Sequence, residues 1–187
     1  PRTAKGVVRR EVVEVVTPGA VMTDDLLDAG CNTFLVAVSV ADDRAFAQAW
    51  QAAKRANKLR LADTVRRHYQ RRGLPVTVAP DSLFDVQVKR IHEYKRQLLN
   101  VLHVITLYNR LKDNPHRDLL PRTVVFAGKA APGYAAAKLI IRLINGVGDV
   151  VNADPAVRGR LPVAFLADYR VSLAEEIFPG SDLSEQI

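Results

Sequence analysis

Lys89, Arg90 and Lys95 crowd into the stretch FDVQVKRIHEYKRQLLN at residues 84–100, alongside His92, Glu93 and Tyr94. Lysine and arginine at this density would bind a phosphate-like oxyanion, because a guanidinium presents a planar fork of N–H donors and an ammonium a compact charge. The same stretch marks a change of period. Val86 and Val88 alternate with Gln87 as in a short strand, and from Tyr94 onward Leu98, Leu102, Ile105 and Tyr108 recur at helical spacing. That pattern predicts a helix from His92 to about Lys112, with the cations at its mouth. A helix start carries unpaired N–H groups and the positive end of the dipole, so the backbone would reinforce the side chains there. The alternative is a solvated basic face, with His92 simply hydrogen-bonded into the helix start.

These residues need a scaffold, and the flanking pattern describes one. Thr123–Ala127 and Val163–Leu166 read as further strands, the first feeding a helix from about Tyr134 to Ile144, the second preceding a helix that starts at Ser172. Short apolar runs alternating with amphipathic helices predict an α/β fold with a parallel, Rossmann-like sheet. Asp168, Tyr169 and Arg170 then fall at the carboxyl end of a strand, where such sheets place ligands. The loop Gly128–Tyr134 occupies the same kind of position, with Lys129 lining the cleft and Gly133 packing under the next helix. Ser172 with Glu175, and Asp182 with Glu185, have the spacing of capping boxes, the second predicting a further helix. Upstream, Phe46, Ala49, Trp50 and Ala53 form one core stripe, and Leu61, Val65 and Tyr69 form a second after a start capped by Asn57. Gly73 ends that helix and Pro75 follows it. Arg66, Arg67, Arg71 and Arg72 are a polyanion patch or a solvated helix end, and the lack of interleaved aromatics favours the latter.

With 187 residues, 48% of them hydrophobic, the chain can bury one core. A single cysteine, Cys31, excludes an internal disulfide and argues against a cysteine metal cage, so no metal site is assigned. No apolar run approaches the roughly 20 residues of a membrane span, and the opening residues lack a signal-peptide core. A cytoplasmic protein with no membrane partner is the resulting expectation. A net charge of +7 suits phosphorylated ligands or polyanions, and leaves nucleic-acid binding open. Residues 1–41 read as a strand-rich segment, with runs at Glu11–Val16 and Thr33–Val40, joined near Val40–Asp43 to the α/β part at 42–187.

The order and spacing of several motifs across residues 42–187 closely resemble the glycogen and α-glucan phosphorylases. They are NKL at Asn57–Leu59, DSLFDVQVKRIHEYKRQLLN at Asp81–Asn100, LHVITLYNRLK at Leu102–Lys112, GKAAPGY at Gly128–Tyr134, GDVVN at Gly148–Asn152, DYRVSLAE at Asp168–Glu175 and DLSEQI at Asp182–Ile187. The resemblance implies a pyridoxal-phosphate enzyme of the GT-B type. Two Rossmann-like domains would face each other across a cleft, and α-1,4-glucan ends would be cut with inorganic phosphate to give glucose 1-phosphate. It assigns Lys89, Arg90 and Lys95 to catalysis in the region of the substrate phosphate and the cofactor phosphate, with Arg90 the candidate for direct grip. Tyr94 would contact sugar hydroxyls, His92 and Glu93 would fix the geometry, and Tyr169 and Arg170 would contact the cofactor. A homodimer is also implied.

In this family the Schiff-base lysine follows DLSEQI, beyond Ile187. The expectation is therefore part of a C-terminal domain, inactive by itself. The first forty residues, including RREVVEVVTPGAVMTDDLLDAGCNTFLVAV, instead resemble the connector region of MutS-family mismatch-repair proteins, although neither an aromatic mismatch-reading segment nor a P-loop is present. Two other readings follow from the residues: a basic module that captures DNA or another polyanion in a salt-sensitive way, and a non-catalytic chimeric or truncated chain with an unpaired sheet edge.

Overall fold

The computed structural model describes residues 44–185 apart from Pro75 and Arg158; the strand-like runs assigned to residues 1–41 lie outside them. Helix α1 (Arg44–Gln70) precedes strand β1 (Leu83–Val88), helix α2 (Gln97–Asp113) and strand β2 (Arg122–Ala127). Helix α3 (Ala135–Ala153), strand β3 (Val163–Leu166), helix α4 (Val171–Gly180) and the short strand β4 (Leu183–Ser184) follow. All pairings are parallel and the order across the sheet is β3-β2-β1-β4. The predicted Rossmann-like α/β class is therefore found, with Thr123–Ala127 and Val163–Leu166 falling on strands as the sequence indicated.

Period two sorts the strand residues onto two faces. Phe84, Val86, Val88, Val125, Ala127, Ala164 and Leu166 pack with Leu61, Val65 and Tyr69 of α1 and Ile177 of α4. On the opposite face, Val124, Phe126, Val163 and Phe165 meet Val101, Val104 and Leu107 of α2 and Ile140 and Ile144 of α3. Each fully buried side chain of this size contributes about 1.5–3 kcal/mol. Strand β1 departs from the rule on the α2 face, where it carries buried Asp85 and Gln87. The tyrosine of α1 also ties the layers together, because Phe165 N–H donates to Tyr69 Oη at 2.8 Å.

Several local expectations are corrected. The two stripes upstream belong to one uninterrupted helix; Asn57 does not cap a new start, since its Nδ2 donates to Ala53 O at 2.9 Å within the helix. Of those stripes only Leu61, Val65 and Tyr69 reach the core, while Trp50 is 58% exposed. Gly73 does terminate α1: with φ +71 it lets Leu74 N–H return to Tyr69 O, closing a Schellman-type end. Asp182 and Glu185 do not open a helix. Asp182 N–H donates to Phe84 O, Glu185 N–H donates to Val86 O, and the Asp182 carboxylate accepts Phe84 N–H at 2.8 Å, so the segment extends the sheet. Ser172 lies inside α4 rather than at its cap; Arg170 occupies the cap position and its Nε donates to Ser172 Oγ at 3.0 Å. Helix α3 runs nine residues further than predicted, to Ala153 instead of Ile144.

Candidate functional site

The strand order turns at β1, because β2 and β3 build outward on one side while β4 adds on the other. In open parallel sheets that switch point, at the carboxyl ends of the strands, is where ligands lodge. The segment from Lys89 to Lys95 leaves β1 there. It is stitched to the neighbouring loop by Lys89 N–H donating to Ala127 O at 3.0 Å and Ile91 N–H donating to Lys129 O at 3.1 Å.

The expected helix from His92 is not formed. A 3-10 turn at Glu93–Lys95 is followed by Arg96 in the left-handed region at φ 58, and only then does α2 begin, at Gln97. Two side chains divert the chain. His92 Nδ1 accepts Tyr94 N–H and caps the short turn, and Gln97 is drawn fully into the interior. The cations thus sit on a looped segment ahead of α2 instead of on its first turn.

Lys89 and Lys95 share the one short loop. Partial burial first, and the Lys95 ammonium second, push the Lys89 pKa down. Like charges in one loop repel, and a bound anion would relieve that repulsion. Lys95 Nζ also stands 5.4 Å from the Tyr94 ring centroid. Arg90 is exposed beside them. His92 forms an aromatic corner with Tyr94 at 4.3 Å and Tyr134 at 4.9 Å between centroids. Tyr134 Oη donates to the Glu93 carboxylate, a partner that sequence reasoning missed because it lies on another loop. Tyr94 is 64% exposed. Lys129 is exposed as well, but Gly133 does not pack under α3, since nothing lies within 4 Å of where its Cβ would be; the close approach is at Gly128.

Tyr169 and Arg170 occupy the carboxyl end of β3, about 10 Å from β1 by two strand spacings. Tyr169 leans on the core face shared with α1. Arg170 Nη1 donates to Asp168 O at 3.3 Å, and Asp168 has φ 57; non-glycine residues in that region cluster at functional sites. A cleft of about 270 Å³ opens here, lined by His68, Arg71, Asp168 and Arg170 among others. Burial, then Arg72, lowers the His68 pKa. His68 carried no assignment from sequence, because nothing in its neighbourhood in the chain shows that α1 ends over β3. The cations near the end of α1 are largely engaged: Arg66 and Arg67 pair with Asp63, and Arg72 lies over the Tyr69 ring. That matches a helix end better than a polyanion patch.

Beneath the β1 loop lies a polar seam. Asp85, 1% exposed, pairs with Arg122 at 2.8 Å, and Glu185 lies close by, its carboxylate accepting Asn100 Nδ2–H at 3.0 Å. Burial, reinforced by the neighbouring Asp85 charge, pushes Glu185 up to about 7 from an ordinary 4.5. Between those values the folded chain keeps a proton that the unfolded chain has released. Glu185 therefore supports stability fully below its unfolded pKa and loses that contribution as pH rises through about 7. Thermal melts from pH 4 to 8 should show wild type losing stability relative to Glu185→Gln across that window; parallel curves would contradict the assignment.

Taken together, helices on both faces of a parallel sheet, with Lys89, Arg90 and Lys95 in the loop that leaves β1 at the switch point, define a Rossmann-like α/β domain. The profile of the carbohydrate phosphorylase family matches residues 32–187, and the chain belongs to that family. It is 59% identical over 150 residues to the muscle form of human glycogen phosphorylase, covering 80% of this chain and 17% of that protein. Rat brain-form glycogen phosphorylase is 54% identical over the same share of each. The chain thus spans about a sixth of the length of these relatives. The match also takes in residues 32–41, upstream of the junction read from the sequence, and the mismatch-repair resemblance is not supported. Among the described residues no helix is long and apolar enough to cross a membrane.

Proposed function

We propose that this chain supplies one wall of the active site of an α-glucan phosphorylase, the wall that holds phosphate. What supports the reading is that Lys89, Arg90 and Lys95 share one short loop at the carboxyl edge of β1, tied to the end of β2 through Lys89 N–H and Ile91 N–H. In the reaction, a phosphate oxygen bonds to the anomeric carbon at a glucan end as the α-1,4 bond to the next sugar breaks and the phosphate proton passes to the departing 4-oxygen, giving glucose 1-phosphate and the shortened glucan. Lys89 and Lys95 neutralise the dianion and Arg90 offers the bidentate fork that orients it. Charge shifting between phosphate and sugar in the transition state is stabilised by the same preorganised cations. His92 keeps Tyr94 in place through its accepted N–H, and Tyr94, open to solvent, is positioned to meet sugar hydroxyls.

The cluster at the end of β3 is the candidate contact region for pyridoxal phosphate. Arg71 and Arg170 line the cleft there and offer positive charge toward an anionic group, with Tyr169 next to Arg170 in the chain. When bound, the cofactor would supply a phosphate group able to exchange a proton with the substrate phosphate. The same reading proposes a cytoplasmic homodimer for the whole enzyme and a domain boundary near residue 41.

The test is titration of the chain with inorganic phosphate. Arg90→Ala should weaken binding by roughly tenfold, the worth of a charge-assisted pair, whereas Arg66→Ala, which removes an exposed helix cation paired with Asp63, should leave it unchanged. Equal losses would point to diffuse attraction and remove the site.

A further inference from the structure

The α2-facing side of β1 carries Gln87 where β2 and β3 present valine and phenylalanine, and α2 answers with Gln97 and Asn100. Their exposures are 1%, 0% and 6%. Uncharged carboxamides are costly to bury unless both ends find partners, and here the partners lie in the loop that bears the cations. Gln97 Nε2 donates to Arg90 O at 3.1 Å, while its Oε1 accepts His92 N–H at 3.3 Å. Gln87 Nε2 donates to Lys95 O at 2.9 Å, and its Oε1 accepts Asn100 Nδ2–H at 3.1 Å. The loop is thereby pinned from below at Arg90 and His92, ahead of the 3-10 turn, and at Lys95, its last residue. The pin also stands next to Arg96, whose left-handed backbone needs support from its surroundings.

We infer that Gln97 and Gln87 are positioning residues for the phosphate site: they touch no ligand, and by fixing the backbone of Arg90 and Lys95 they set the separation of the cations. This rests on the phosphate reading above. An apolar side chain of similar size would fill the same space without holding the loop, so the effect on anion binding separates from the effect on packing.

The experiment titrates the 187-residue chain with inorganic phosphate, following the imidazole protons of its histidines by NMR, with thermal melts alongside. In wild type the His92 signal should shift and saturate while those of His103 and His116 stay still. Gln97→Met, which keeps size and charge but loses both bonds to the loop, should weaken phosphate roughly tenfold, the low end of what loss of an outer-shell partner costs a ligand site. Gln87→Leu should do the same, each variant melting below wild type because buried loop groups lose a partner, yet folded at the titration temperature. Folded variants that bind as tightly as wild type, with His92 still responding, would overturn the inference while leaving the phosphate site intact. A wild type whose His92 ignores phosphate would overturn the site and the inference together. If a substitution unfolds the chain, wild type decides alone: exchange of the His92 amide proton, held by Gln97, should slow as phosphate saturates, and unchanged exchange would refute the positioning role.

Discussion

Gly128→Ala is expected to destabilise the chain by about 3 kcal/mol, lowering its melting midpoint by roughly 6–12 °C. A Cβ at residue 128 would lie 1.9 Å from the Lys89 carbonyl oxygen and 3.0 Å from Ile91 Cδ1. The obstacle is backbone, so no rotamer change relieves it. Nor can the two segments part freely, because Lys89 N–H and Ile91 N–H are bonded on either side of the contact, to Ala127 O and Lys129 O. Any relaxation breaks one of these bonds and displaces the residues that carry the cations, so phosphate binding should fall as well. Gly133→Ala, five residues on, meets nothing within 4 Å and should change stability by no more than about 0.5 kcal/mol. Thermal melts of the pair check the argument; equal midpoints for the two variants would show that the β1 loop yields.

Arg122→Met should cost about 3–5 kcal/mol, the range for breaking a buried ion pair on one side. Asp85 is 1% exposed, its Oδ1 has no hydrogen-bond partner, and Arg122 is the cation that faces its Oδ2. Glu185 worsens the situation, since Arg122 also draws down the Glu185 pKa; without it two carboxyl groups face each other under the sheet. Because the Arg122 side chain remains 27% exposed, water will soften the loss toward the lower figure. Asp85→Asn combined with Arg122→Met should recover part of the stability. Arg66→Met removes an exposed pair with Asp63 and should cost less than about 1 kcal/mol. Chemical denaturation of the three variants tests the ordering, and a loss at Arg122 no larger than at Arg66 would defeat it.

The three longer strands were legible because they are buried on both faces. Val124–Ala127 and Val163–Leu166 are unbroken apolar runs, and such runs have few alternatives once helices of the right period flank them. Local turn chemistry was legible at Gly73, where the helix end needs a positive φ. It misled at Asn57, at Ser172 and at Asp182, since each had the right residue type for a cap while a partner elsewhere in the chain took the side chain: the preceding turn of α1, the Arg170 guanidinium and the edge of β1. The helix start was misplaced for the same reason. Spacing alone lets Leu98, Leu102 and Ile105 extend back to His92, but Gln97 gains two hydrogen bonds by turning inward, and that breaks the helix at Arg96.

The sequence by itself determined the α/β class, the clustering of cations after one strand, and the family, because these depend on period, composition and motif order along the chain. Only the tertiary structure decided that the loop bearing Lys89 and Lys95 is tied to the end of β2, that Tyr134 reaches Glu93, that His68 borders the Arg170 cleft, and that two buried glutamines bond the loop from beneath. Each of these joins residues from different elements across the carboxyl edge or the α2 face of one sheet. Their proximity is fixed by strand order and packing, which the one-dimensional pattern does not contain.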